Sequence, residues 1–464
     1  MIDVKNIEAI YFVGIGGIGM SALARYFRAG GFPVHGYDRA SGNITDALAR
    51  EGCQITFEDD KDKLPGIFTA PPMKDKVLVI VTPAIPSDSS ILRHFRENGY
   101  RLYKRSEILG MISKETDALA VSGTHGKTTV STMLAHILKQ SSVDCSAFLG
   151  GISKNYDSNL ILGSGRYTVM EADEFDRSFH RLSPLMAIVT AVDADHLEIY
   201  GSHEQMIEGY NEFFRKIRKG GLLSANFRIR DKIIVPEGIS LVTYGPEEGS
   251  TFRYTSVRLE NECFIFDLHT PNGMIKDIRF PFPGQINIEN ATAAASLALS
   301  CGVTEDELRK ALLTFSGVQR RFDIRVNRGG VTYIDDYAHH PEEIRAFVES
   351  VKAYFGKRHL TGIFQPHLFT RTRDHAEGFA RILDILDEVI VLPIYPAREK
   401  PIEGVGSEMI IGKMKLENKR LLEKSDIPGK LDINKIDVLL TIGAGDIDRL
   451  VRPIEEALKT RLSR

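Results

Sequence analysis

The chain has 464 residues, 43% hydrophobic and 26% charged, with a formal net charge of −3. This length suggests roughly two to four domains, and the composition is that of a soluble globular protein. A charge so near balance leaves no footprint for a nucleic-acid partner. Cys53, Cys145, Cys263 and Cys301 are scattered, with no CxxC pair, which fits reduced, mostly buried thiols better than a disulfide framework or a zinc site. The opening Met1-Ile2-Asp3-Val4-Lys5 has no signal-peptide pattern. No stretch approaches the roughly 20 apolar residues of a bilayer span. A cytoplasmic location without stable membrane insertion is therefore expected, as a monomer or weak homodimer.

Short apolar runs, glycine-rich turns and amphipathic stretches alternate along the chain, which predicts a parallel α/β architecture. The first unit is the strand Ala9-Ile10-Tyr11-Phe12-Val13, a glycine turn and a helix over 20–29. A second strand over 33–37 ends at Asp38, and further strands are expected over 77–82 and 100–103. This N-terminal, Rossmann-like domain spans 1–106. The central domain, 107–317, opens with Ala118-Leu119-Ala120-Val121 and continues through strands over 167–171 and 186–190. Over 241–282 the pattern alternates, as in Phe264-Ile265-Phe266-Asp267-Leu268, the mark of antiparallel strands added to a mostly parallel, P-loop ATPase-like sheet. Helices over 288–299 and 305–314 close it. The C-terminal domain, 318–464, is again Rossmann-like, with strands over 331–334, 362–364, 388–392 and 438–442.

Gly14-Ile15-Gly16-Gly17-Ile18-Gly19 matches GxGxxG between a strand and a helix, and Asp38 lies 19 residues beyond Gly19. Gly14, Gly16, Gly17 and Gly19 let the backbone approach a diphosphate whose charge is met by the helix N-terminus. By motif alone NAD or FAD is the favoured ligand. A UDP-sugar presents the same diphosphate, and the motif does not choose between them. A tight turn without ligand is the blander reading.

The second loop is Gly123-Thr124-His125-Gly126-Lys127-Thr128-Thr129, ahead of a helix over 130–138. Walker A requires Gly-x4-Gly-Lys-Ser/Thr. Val121 stands where the first glycine belongs, so Gly123 makes a tighter variant of the turn. The physical needs are still met: backbone N–H groups enclose phosphate oxygens, Lys127 neutralises the β/γ charge, and the Thr128 hydroxyl is a Mg²⁺ ligand. Glu171-Ala172-Asp173-Glu174 follows a strand, where an acid can reach a nucleotide-bound Mg²⁺. Asp193-Ala194-Asp195-His196 also follows a strand, and His196 there is a candidate for a second cation. Either cluster by itself also reads as a helix cap or a solvated turn.

Taken together these segments resemble the Mur ligases, which build the peptidoglycan peptide stem. The resemblance covers nearly the whole chain. It rests on Gly14 through Ser21, Ser122 through Thr129, Glu171 through Glu174, Asp195-His196, Asp335-Asp336-Tyr337-Ala338-His339-His340-Pro341 and Gln365-Pro366-His367. It implies that the first domain binds UDP-N-acetylmuramate, the second ATP and the third the amino acid. By the family pattern Gly123 through Thr129 contact ATP, Thr128 and Glu171 hold Mg²⁺, and His196 serves a second metal position. Asn290 resembles the adenine-reading residue, with Asn287 beside it, although helix N-capping explains both from the residues alone. Arg321 and Asp336 resemble residues that meet the nucleotide, and His340 one of the closed active site. Tyr337, Arg371 and Arg373 are expected at the amino acid.

Two departures bear on the branch. Some Mur ligases carry a carbamylated lysine after the Asp-His motif, and the matching stretch Ile207 through Glu212 has no Lys, as in the alanine-adding branch. Leu368 stands where many members have an arginine for the amino-acid carboxylate. The implied reaction is ATP-driven ligation of L-alanine to the lactyl carboxylate of UDP-N-acetylmuramate through an acyl phosphate. A recycling branch that attaches a preformed peptide to the same sugar is the nearest alternative. An NAD-dependent oxidoreductase leaves Lys127, Glu171 and His196 unexplained, and a nucleotide-gated binding protein without chemistry would release no phosphate.

Overall fold

A computed structural model describes residues 6–70, 74–193, 197–397 and 399–463. They form three sheets. The first has the spatial order Gln54–Thr56, Val34–Tyr37, Ala9–Val13, Val77–Val81 and Leu102–Lys104, and every pairing is parallel. Its middle strand is buried along its whole length, which is why it reads as an unbroken apolar run instead of an alternating one.

The second sheet holds Gly273–Phe280, Cys263–Thr270, Phe252–Glu260, Ser240–Gly245, Leu222–Asn226, Met186–Val189, Asp117–Ser122, Tyr167–Glu171, Cys145–Ser153 and Ser158–Ile161, in that order. Its centre is parallel. Residues 252–280 of the alternating segment supply an antiparallel meander at one edge, but Ser240–Gly245, expected among the antiparallel strands, continues the parallel centre and pairs parallel on both sides. At the other edge lies an antiparallel hairpin over 145–161 that the sequence reading does not contain. Gly150 and Gly151 interrupt its hydrophobic pattern, and its register shifts between Phe148 and Ser153.

That hairpin is where the first sheet's leading helix, Ile18–Ala29, docks. Tyr26 and Phe148 meet with ring centroids 5.3 Å apart. The Asn159 amide donates to the Ile18 carbonyl and, at 3.0 Å, to the Ser21 hydroxyl. Its amide oxygen accepts from Arg25, whose guanidinium also grips Glu51 at 2.9 Å. A single apolar cluster runs from Ile10 through Phe148 and Tyr210 to Ile233. By compactness the chain therefore divides into two units, one comprising residues up to 281 with 288–316, the other 282–287 with residues from 317 onward.

The second unit carries the third sheet, ordered Asp323–Arg328, Val331–Asp336, Val438–Ile442, Leu360–Phe364, Glu388–Val391 and Lys419–Leu421. Only its first pair is antiparallel. The strand from Val331 runs two residues past its expected end, so Asp335 and Asp336 are buried strand residues. Partners make this possible: Asp335 accepts from Arg320 at 3.2 Å and the Thr441 hydroxyl at 2.6 Å. No described helix is long and apolar enough to cross a membrane.

Candidate active site

The phosphate loop leaves the buried strand Asp117–Ser122 and enters the helix Lys127–Lys139, which starts directly on Gly126. Gly126 has φ +81° and Gly123 has φ +125°, backbone conformations that favour glycine. At Gly123 space matters as well, because a Cβ would lie 2.0 Å from the Thr190 hydroxyl and 2.8 Å from the Ala191 nitrogen. The loop is tied to the neighbouring strand end through Thr124 N–H to the Ala191 carbonyl at 3.1 Å. The Thr190 hydroxyl bonds the His125 carbonyl, and Asp193 N–H donates to the Thr124 hydroxyl at 3.2 Å. A Cβ on Gly126 would come within 3.0 Å of the Asn290 side-chain oxygen, so Asn290 stands against the phosphate loop. Asn287 instead caps its own turn, donating to the Pro283 carbonyl at 2.7 Å.

Lys127 Nζ donates to the Gly123 carbonyl at 2.8 Å and to Glu174 Oε1 at 2.7 Å. Burial alone would lower the lysine's pKa. Glu174, with Asp173 and Glu171 behind it, outweighs that and raises it. Burial likewise pushes the Glu174 carboxyl upward against the pull of Lys127. The Thr128 hydroxyl donates to Glu171 Oε1 at 3.1 Å, and Gly150 N–H donates to Oε2 at the same distance. A hydroxyl and a carboxylate paired at the loop are hard oxygen donors that suit Mg²⁺, which binds through one or two carboxylates plus phosphates. Among the described residues no larger metal-binding cluster of His, Cys, Asp and Glu forms. Asp195 and His196 lie outside the described residues.

In the first glycine loop Gly14 has φ +94°, and a Cβ there would lie 2.2 Å from Thr82 Cγ2. Asp38 turns inward and accepts the Gly16 N–H at 2.7 Å, bracing the loop from within. Gly17 is the helix N-cap, and a Cβ there would touch nothing closer than 3.7 Å. Gly19 makes room for Arg105, because a Cβ would sit 2.6 Å from its guanidinium. Arg105 also stands 3.9 Å from Asp173. Sequence reasoning passed over Arg105 and Glu174. Arg105 belongs to no motif, and Glu174 is the fourth residue of a motif in which Glu171 carries the metal-ligand signal.

In the second unit, Asp336 accepts the Phe322 N–H at 2.6 Å and the Ala338 N–H at 2.8 Å. Burial lifts its pKa to about 6 against the pull of Arg321 and these donors. The Arg320 and Arg321 guanidiniums lie 5.2 Å from the Tyr337 ring centre. His339 packs edge-on against Tyr337 and His367. Arg371 stands 3.3 Å from His367 Nδ1, and burial, with His339 and Arg371 nearby, depresses the His367 pKa to about 4. His340 precedes the helix Pro341–Phe355, and its ring meets that of His375. Burial would raise Glu343, but His339, Arg321 and the N–H groups of His339 and His340 hold it down at about 2. Leu368 has φ +73°, a strained conformation for a branched residue, and donates its N–H to the Tyr395 carbonyl at 2.9 Å. Arg373, unlike Arg371, is exposed and paired with Asp374.

A phosphate loop with a lysine and a threonine–carboxylate pair, on a mostly parallel sheet in a chain that carries two further α/β sheets, defines a nucleotide-using enzyme. Sequence profiles match in chain order: the Mur ligase family catalytic domain over 9–116, the Mur ligase middle domain over 121–298 and the Mur ligase glutamate ligase domain over 320–445. The chain belongs to the Mur ligase family. It is similar to the UDP-N-acetylmuramate–L-alanine ligase of Porphyromonas gingivalis, with 47% identity over 98% of this chain and 99% of that one. The enzyme of the same name from Parabacteroides distasonis is also 47% identical, over 98% of each chain. The crystal structure of UDP-N-acetylmuramate–alanine ligase from Thermotoga maritima superposes with a TM-score of 0.83 at 28% identity, covering 98% of this chain and 99% of that one. A murein peptide ligase from Psychrobacter arcticus shares the fold, with a TM-score of 0.68 at 20% identity over 98% of each chain.

Proposed function

We infer that the chain is an ATP-dependent ligase that joins L-alanine to the lactyl carboxylate of UDP-N-acetylmuramate in peptidoglycan precursor synthesis. The observation that carries this reading is the phosphate loop with Lys127 and the Thr128–Glu171 pair, in a chain whose full-length relatives at 40–47% identity are UDP-N-acetylmuramate–L-alanine ligases. Residues 1–106 serve the UDP-sugar, 107–317 ATP and 318–464 the amino acid. Gly14, Gly16, Gly17 and Gly19 receive the diphosphate, with Asp38 holding the loop in shape and Arg105 adding a positive charge beside it. Tyr337, Arg371 and Arg373 serve the amino acid, and Arg321, Asp336 and His340 complete the reacting centre. With two soluble nucleotide substrates, a cytoplasmic location follows.

A carboxylate does not expel oxide when an amine attacks, so it must first become a better electrophile. The lactyl carboxylate attacks the γ-phosphorus of ATP, the bond to the ADP oxygen breaks, and an acyl phosphate forms. The alanine amine then adds to the acyl carbon, and phosphate leaves as the amine loses its proton. The first step brings anions together, so Lys127 and the loop N–H groups act chiefly by meeting charge that is already present or developing. Mg²⁺, held by Thr128 and Glu171 with His196 assigned to a second position, would supply further neutralisation of the phosphates.

The test is phosphate release with ATP, Mg²⁺ and UDP-N-acetylmuramate, screened across amino acids and a preformed tripeptide. Alanine is expected to give the highest turnover, and no phosphate should appear without the sugar. Tripeptide preferred over alanine would move the chain to the recycling branch. Silence with every amine would end the ligase reading. Serine or glycine matching alanine would mark the Leu368 position as permissive.

A further inference from the structure

We propose that Glu174 is a positioning residue for ligation: it holds the Lys127 ammonium against the Gly123 carbonyl so that its remaining N–H faces the transferring phosphoryl group. The proposal rests on the ligase reading given above. A lysine ammonium has three donors and a flexible stem, and by itself it is a point charge without direction. Here two donors are committed, to the Gly123 carbonyl at 2.8 Å and to Glu174 Oε1 at 2.7 Å. The next acceptor, the Thr124 carbonyl, lies at 3.5 Å, too long for a good hydrogen bond. Two fixed directions at a tetrahedral nitrogen leave one for the loop's contents.

The neighbouring carboxylates have other work. Glu171 is engaged by Thr128 and by Gly150 N–H. Asp173 accepts the Phe175 N–H at 3.1 Å and faces Arg105. Glu174 makes an ion pair with Lys127, and the two side chains are 1% and 14% exposed. Its backbone is anchored, because its carbonyl accepts from the Tyr200 hydroxyl at 2.8 Å and from Arg177 N–H at 3.0 Å. An anion beside an ATP site opposes nucleotide binding by its charge. A carboxylate retained there for affinity would thus act against its purpose, whereas one that orients the lysine acts on the chemical step.

The experiment compares native enzyme with Glu174→Ala, Glu174→Gln and Glu174→Asp under saturating UDP-N-acetylmuramate and alanine. Gln keeps the reach and an acceptor oxygen without the charge; Asp keeps the charge but falls short by a methylene. In E174A and E174D, kcat is expected to fall roughly tenfold to a hundredfold, the cost of a misplaced catalytic group. The KM for ATP should not rise, and the KM values for the sugar and alanine should stay unchanged. E174Q is expected to recover most of the turnover. A native kcat in E174D, a loss in E174Q as large as in E174D, or a loss lying wholly in the KM for ATP would overturn the proposal. The Gln–Asp comparison decides even if E174A fails to fold. A native chain that turns over nothing counts against the ligase reading instead, so the two failures are distinct.

Discussion

Replacing Gly123 by alanine puts the geometry of the phosphate loop to a quantitative test. The residue has φ +125°, where a side chain costs about 1–3 kcal/mol in backbone strain. The new Cβ would also sit 2.0 Å from the Thr190 hydroxyl, so that side chain must move. Thr190 would then lose the hydrogen bond that its single hydroxyl proton shares between the Ser122 and His125 carbonyls, at roughly 1 kcal/mol. Strain and the lost bond together amount to about 2–4 kcal/mol. Gly273 serves as the control, because its φ is +132° yet nothing lies within 4 Å of a Cβ there. Gly273→Ala should therefore cost only the strain of about 1–3 kcal/mol. The assay is urea denaturation followed by far-UV circular dichroism, since the chain has no tryptophan, alongside ATP-dependent phosphate release. G123A is expected to lose more stability than G273A and to release no phosphate. Equal midpoints for the two variants, with turnover intact in G123A, would refute the reasoning.

Lys127→Ala should abolish ligation and leave UDP-N-acetylmuramate binding intact, which calorimetry on the variant would establish; near-native turnover would sink the scheme. Arg105→Ala is expected to raise the KM for the UDP-sugar about tenfold with the KM for ATP unchanged, and Gly19→Ala should act in the same direction by displacing the same guanidinium. His136 is 1% exposed, and its Nε2 donates to the Ala311 carbonyl at 3.1 Å, so Nδ1 accepts from the Tyr156 hydroxyl. Burial lowers its pKa from 6.5 to about 4. The unfolded chain therefore takes up a proton that the fold refuses, and stability present above pH 6.5 is lost as pH falls towards 4, by up to about 3 kcal/mol. His136→Gln should flatten the change in urea midpoint between pH 7 and pH 4.5; an unchanged slope would contradict this.

What the amino-acid sequence determined by itself is local and periodic. The buried run before the phosphate loop, Gly123 and Gly126 within it, and the switch to alternation within 241–282 each follow from rules that act within a few residues. Strand Val438–Ile442 and helix Glu305–Thr314 coincide with their expected bounds. The tertiary structure decided which distant side chains meet. The fold, and not the spacing, brings Glu174 to Lys127, Arg105 to Gly19 and Asn290 to Gly126. The extension of strand Val331–Asp336 was likewise hidden, because a buried carboxylate is tolerable only where remote donors such as Arg320 and Thr441 satisfy it. The hairpin over 145–161 belongs with these, since its glycine-broken pattern becomes strand only when the sheet and the helix Ile18–Ala29 pack on it. Contacts between residues far apart in the chain carry no period, and that is why the loops could be read early and their partners only in the fold.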